Sequence, residues 1–138
     1  MIDTATAIVA AEPGRIREVL LDPAAMPGWN PALLSLTGTG EAVLDHPYPV
    51  VVRGGLRGHM TYRRIQDDQI DIDYRVRLLG LEEGTWVLEV VDPDHTRVRH
   101  TFKHEGFAGG LTAGIFRGVA GLRVGRLVDL FANNRHFT

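Results

Sequence analysis

Apolar and polar residues alternate along the strand read over residues 69–79: Ile70, Ile72, Tyr74, Val76 and Leu78 fall on one side, Asp71, Asp73, Arg75 and Arg77 on the other. A period of two is that of a strand with one dry and one wet face. The same pattern returns over residues 85–91, where Trp86, Leu88 and Val90 share a face. It returns again over residues 95–105, with Val98, His100, Phe102 and His104 opposite Arg97, Arg99 and Lys103. Residues 50–65 are less regular: Leu56, Met60 and Tyr62 are in phase and His59 is out of phase, which puts His59 in water, while Gly54, Gly55 and Gly58 predict bends or bulges that curve a sheet. Clusters at 45–47, 66–68, 80–84 and 92–94 punctuate the alternation as hairpin turns, giving about five strands in some seventy residues.

The flanks read differently. Residues 1–11 form a first strand, and Glu12-Pro13 starts a short helix, because the fixed φ and missing N–H of proline suit the first helical position. Ile16, Val19 and Leu20 recur at helical spacing, Asp22-Pro23 ends that helix and begins a second short turn, and residues 27–31 make an irregular corner containing Trp29 and Asn30. Residues 111–134 hold apolar positions at helical spacing with no proline, long enough for about six turns. One strand, two short helices, an antiparallel meander and a long C-terminal helix predict an α+β fold in which the last helix lies across the dry face of a curved sheet.

Composition narrows the chemistry. At 138 residues the chain predicts a single domain spanning residues 1–138, and with no cysteine it excludes disulfides, thiolate metal sites and a thiol nucleophile. A net charge of -2 argues against the broad cationic field of nucleic-acid binding. No apolar run reaches the length of a membrane span and the N-terminus lacks a signal-peptide pattern, so a cytoplasmic protein is expected. Ser35 is the only serine, no nucleophile elbow surrounds it, and no glycine-rich phosphate loop follows a strand, so neither a serine hydrolase nor a nucleotide cofactor is expected. Fourteen arginines against one lysine, Lys103, fit the codon usage of a GC-rich genome.

The stretch Glu12-Pro13-Gly14-Arg15-Ile16-Arg17-Glu18-Val19-Leu20-Leu21-Asp22-Pro23, followed by Trp29-Asn30-Pro31, resembles the opening of polyketide cyclase/dehydrase-type members of the START-like, helix-grip (SRPBCC) superfamily. The strand texture and the long last helix extend the resemblance over essentially the whole chain. Ile16 departs from it, since many relatives carry an aromatic residue there. The resemblance implies a curved antiparallel sheet wrapped around the C-terminal helix and a cavity between them for a hydrophobic or aromatic small molecule. Chemistry is present in some members of that superfamily and absent in others.

His100 and His104 share the dry face of their strand, where two imidazoles titrating near neutrality could move protons in enolisation and dehydration. They are equally read as satisfied core histidines. Tyr62, Tyr74 and Trp86 fall on dry faces of three strands, with rings to line a cavity and polar tips to orient the oxygens of a ligand, or simply as core. Trp29 and Asn30 either cap the pocket mouth or plug the helix–sheet junction, and Met60 and Phe102 are candidate lining residues. No metal site is expected, because no third ligand accompanies the histidines.

In the last helix Gly114, Gly118, Gly121 and Gly125 fall within a wedge of roughly 60°. Four helical glycines cost on the order of 4 kcal/mol in a domain of about 5–15. That cost suggests close helix packing, room for a ligand beside Gly118 and Gly121, or a broken helix. The expected function is binding of a hydrophobic, aromatic or polyketide-like molecule without a cofactor, with cyclisation or dehydration in which His100 or His104 moves protons and Tyr62 or Tyr74 steadies an enolate oxygen. The alternatives are a lipid or isoprenoid carrier without turnover, and an interaction module pairing through a sheet edge or the glycine stripe, for which a homodimer is the simplest assembly.

Overall fold

The computed structural model describes residues 2–105 and 118–135, with side chains up to residue 132. Strand β1 (Ile2–Val9) leads into helix α1 (Pro13–Leu20), a 3₁₀ turn (Pro23–Ala25) and the one-turn helix α2 (Met26–Trp29). The meander follows as β2 (Leu33–Leu36), β3 (Tyr48–Val52), β4 (Arg57–Ile65), β5 (Gln69–Val76), β6 (Gly80–Asp92) and β7 (His95–Glu105), and helix α3 (Val119–Arg135) closes the described chain. All seven strands form one unclosed antiparallel sheet in the order β1-β7-β6-β5-β4-β3-β2. Each of β2 to β6 lies beside its successor, and β1 takes the far edge against β7, pairing Ile2 with Lys103 through to Val9 with Thr96.

The inner face is built from the alternation. Ile70, Ile72, Tyr74 and Val76 of β5, Trp86 and Leu88 of β6, and Val98, His100, Phe102 and His104 of β7 are all buried. Helix α3 packs on this face against β1 and β7. It turns Ala120, Arg123, Val124, Leu127 and Phe131 inward, positions that recur at three and four residues and so share one stripe. Proline at the start of α1, with Ile16 and Leu20 fully buried on one side, anchors that helix at the other end of the same interior.

Several local expectations differ from the structure. Gly54 and Gly55, at φ +95 and +82, form the β3–β4 turn itself, and it is Gly58 that lies inside a strand, where a Cβ would stand 2.3 Å from the Arg75 carbonyl. The turn expected at residues 80–84 falls earlier, at 77–79, because Leu78 takes φ +72 and Gly80 φ +91; residues 80–84 are strand. Leu78 and Val90 are consequently exposed, one on a turn and the other beside a register shift where β6 outruns the core. The corner at 27–31 begins as helix α2, with Pro27 in its first turn. The short strand β2 was not distinguished in the sequence. Gly118 sits ahead of α3 at φ +82, and Gly114 and the rest of residues 111–117 lie outside the described residues.

Candidate functional site

The inward stripe of α3 contains one charged residue, Arg123, which is 2% exposed. Opposite it, Glu82 occupies an inward position of β6, two residues before Gly84 and four before Trp86, and is 4% exposed. The two meet as a bidentate pair, with NH1 to Oε2 at 2.9 Å and NH2 to Oε1 at 3.1 Å. Burial opposes the Arg123 charge, but the Glu82 carboxylate, with smaller contributions from Tyr74 and Asp3, outweighs it and the guanidinium is held protonated. The guanidinium also lies over the rings of Tyr74 and Phe102, 5.3 and 5.5 Å from their centroids.

Asn30, presented by the end of α2, joins this pair to Tyr74. Its Oδ1 accepts from Arg123 Nε at 3.2 Å and from the Ala32 backbone N–H at 3.1 Å, and its Nδ2 donates to the Tyr74 hydroxyl at 3.1 Å. With the oxygen taking two donors, the orientation of the amide is fixed by its partners. Burial is the main reason that the Tyr74 phenol is pushed up to about 12, so it remains a proton donor across the working pH range.

The two histidines occupy different environments. His100 stacks on Trp86 at 3.9 Å, its Nδ1 lies 3.1 Å from the Thr85 carbonyl and its Nε2 lies 3.2 Å from Arg123 NH1. A carbonyl can only accept and a guanidinium can only donate, so this is the neutral tautomer with the proton on Nδ1. Burial, reinforced by the Arg123 charge, lowers its pKa to about 3. His104 instead lies four residues further along β7, with Nε2 2.7 Å from the Leu79 carbonyl.

Tyr74, Glu82, His104 and Arg123 converge on a small cavity whose other walls include Leu33, Val52 and Val76, with the half-buried Ala32, Leu79 and Gly80 at its rim. Among the described residues the space is about 30 Å³, room for ordered water and far short of the several hundred Å³ of an organic-ligand site. An organic ligand would have to displace these walls outward. An apolar enclosure with a few convergent polar groups is the general form of a small-molecule site.

The remaining expected residues sit around this centre. Trp29 is buried, packs edge-on against Trp86 at 5.7 Å, and its Nε1 has no hydrogen-bond partner among the described residues. Phe102 and Met60 are fully buried. Tyr62 is directed elsewhere: its hydroxyl donates to the Leu20 carbonyl at 2.5 Å, tying β4 to the end of α1, and burial raises its pKa far above the ordinary phenol value. Gly118 and Gly121 lie on the exposed side of the chain, with nothing within 4 Å of where a Cβ would stand. For Gly121 the physical reason is rotational, since the inward stripe centred on Ala120, Val124 and Leu127 leaves it about 100° away, toward solvent, while Gly118 lies in the turn ahead of the helix. Among the described residues no three His, Asp or Glu side chains gather as a metal site.

Arg123 and Glu82 were missed in the sequence reading. Glu82 was hidden in an expected turn, and Arg123 was not singled out among the charges of the last helix. The available signal was phase: Arg123 lies in the apolar stripe of α3, and Glu82 alternates with Trp86 and Leu88.

Among the described residues no helix is long and apolar enough to cross a membrane. A comparison with curated proteins returns no match. Among solved structures the chain is similar to the XoxI protein from Bacillus cereus, at 12% identity and a TM-score of 0.77 over 98% of each chain. It is similar to a START superfamily protein from Mycobacterium smegmatis, at 18% identity and 0.72 over 99% of each chain. It is also similar to the Zhui aromatase/cyclase from Streptomyces sp. R1128, at 13% identity and 0.75 over 96% of this chain and 93% of that one. At such identities these likenesses establish a START-like fold. The family model for polyketide cyclase/dehydrase and lipid transport proteins matches residues 3–134, nearly the entire chain, and the protein belongs to that family.

Proposed function

We propose that this chain binds a hydrophobic, oxygen-bearing small molecule between the sheet and α3 and promotes its cyclisation or dehydration by acid–base chemistry, without a cofactor. The observation that carries the reading is the convergence of Tyr74, Glu82, His104 and Arg123 on one otherwise apolar cavity. A buried ion pair is weak support for stability, since apolar residues of similar volume often do as well. Its presence here is better accounted for by recognition of a polar end on an apolar ligand.

Each group has a role that follows from its partners. Tyr74 accepts from Asn30, which leaves its own proton for a ligand oxygen. Arg123 has five N–H groups, of which four serve Glu82, His100 and Asn30, leaving one on NH2 for the same oxygen. Two such donors in a desolvated site are the ingredients for holding an enolate. His104, on the cavity wall, is assigned proton transfer in preference to His100, whose low pKa and contact with the guanidinium make it a positioning residue for Arg123. The unpartnered Trp29 N–H is a further donor available to a ligand oxygen.

The test uses 1-phenylhexane-1,3,5-trione. Removal of a proton from its terminal methyl gives a carbanion that attacks the aryl ketone carbon; the new alkoxide takes up a proton, and loss of water yields 5-phenylresorcinol. The expected result is resorcinol formation by the wild type, reduced about 10²-fold or more in His104→Gln and in Tyr74→Phe while binding, read by tryptophan fluorescence, persists. Binding without turnover, with oleate bound at least as well, would assign the carrier function instead. No binding of either compound would overturn the reading.

A further inference from the structure

The outer face of the sheet, turned away from α3, carries its charges unevenly. Toward one end of the β4–β5 ladder they are matched: Arg63 bonds Asp73 at 3.1 Å and Asp45 at 3.2 Å, and Arg64 lies 3.4 Å from Asp71. Toward the other end, register sets His59 directly opposite Arg75, and the bond from the Arg77 N–H to the Arg57 carbonyl sets those two arginines side by side. Arg57, Arg75 and Arg77 are all exposed, and none has an ion-pair partner among the described residues. Like charges facing each other across a ladder are destabilising, and the same two strands place acids opposite arginines a few residues away. The unmatched end is therefore a local excess of positive charge, maintained at a cost in stability.

These side chains do not project separately into solvent. Arg57, His59, Arg75 and Arg77 border a groove of about 670 Å³, and Ser35 and Thr37 supply hydroxyls from the β2 side. The size is that of a small-molecule site. Guanidinium forks match the oxygens of phosphate bidentately, and a dianion offsets more of three positive charges than a carboxylate does.

We propose that this groove, on the opposite face of the sheet from the interior cavity, binds a phosphate group. The chemistry is shared by soluble phosphate compounds and by phospholipid headgroups, and the experiment separates them. Full-length protein is titrated with inorganic pyrophosphate at constant ionic strength while amide resonances are followed, and is separately floated with vesicles of phosphatidylcholine with or without phosphatidylglycerol. The expected result is saturable shifts centred on Gly58 and Arg75 to Arg77. Arg75→Gln weakens binding about tenfold or more, while its thermal midpoint in phosphate-free, low-salt buffer is unchanged or higher. Arg99→Gln, on the outer face of β7, binds as the wild type does. Vesicle binding that depends on phosphatidylglycerol and on Arg75, with no response to pyrophosphate, would support the site and assign it to a headgroup. Absence of both responses, or equal weakening by Arg75→Gln and Arg99→Gln, would overturn it.

Discussion

Replacing Arg123 by methionine leaves the Glu82 carboxylate buried without its cation and removes the donors to Asn30 and His100. Truncating one partner of a buried pair typically costs about 3–5 kcal/mol, most of it the penalty of the stranded charge. Arg123 is 2% exposed and Glu82 4%, so solvent offers little relief and the upper part of that range is expected. Removing both charges, as in Arg123→Met with Glu82→Leu, eliminates the stranded group and should return stability to within about 1–2 kcal/mol of the wild type. Glu82→Leu alone strands the guanidinium in the same way and should cost a similar amount, so the double-mutant cycle shows a coupling of about 4–8 kcal/mol. Urea unfolding followed by tryptophan fluorescence and by circular dichroism gives the four stabilities, with coincident transitions checking two-state behaviour. The uncharged double variant should fold and yet no longer bind the triketone, which separates recognition from stability. Additive single-variant costs below about 1 kcal/mol each would refute the claim that the pair is desolvated and mutually dependent.

The neutral His100 makes a second prediction. Its folded pKa of about 3 lies below the ordinary value near 6.5, so the unfolded chain binds a proton that the folded one refuses, and stability falls as pH drops from about 6.5 toward 3. The slope approaches roughly 1.4 kcal/mol per pH unit mid-window, and His100→Gln should show a shallower fall in the same urea titrations. Gly121→Ala and Gly125→Ala, each with open space around the new methyl, should stabilise the protein by about 0.4–1 kcal/mol each in thermal unfolding. Gly58→Ala should cost about 1–3 kcal/mol, because its Cβ would meet two backbone atoms of β5, the Arg75 oxygen at 2.3 Å and the Val76 Cα at 2.9 Å. Tyr62→Phe should cost about 1–3 kcal/mol by leaving the Leu20 carbonyl unpaired, with little effect on triketone turnover.

The fold was legible wherever one face is dry and the other wet over a long stretch. In β5 and β7 that period held nearly to the strand ends, and it correctly turned His100, His104 and Tyr74 inward. It failed where a backbone angle, not a side chain, sets the turn: Leu78 at φ +72 carries no sequence mark, so the β5–β6 hairpin was placed too late and Glu82 was read as loop. Of the glycine stripe, Gly121 and Gly125 are helical and face neither a ligand space nor a packed neighbour, because spacing shows which residues share a face but not which face the core takes. In α3 the bulk of Val124, Leu127 and Phe131 decides that, and Gly121 and Gly125 face water. The phase of Tyr62 was right, yet phase cannot show that the end of α1 brings the Leu20 carbonyl within reach of its hydroxyl. The interior network was not legible because its members, at positions 30, 74, 82, 100 and 123, meet only once α2, the sheet and α3 are assembled.

A crystal structure of the protein with 1,8-dihydroxyanthraquinone, an aromatic ketone that cannot turn over, tests the interior site most directly. The account predicts the ring system between the sheet and α3, the side chains around Leu79 displaced outward, and a quinone or phenol oxygen within about 3 Å of both Tyr74 Oη and Arg123 NH2. A ligand seated only on the outer surface, with the Arg123–Glu82 pair and the cavity of about 30 Å³ unchanged, would contradict it.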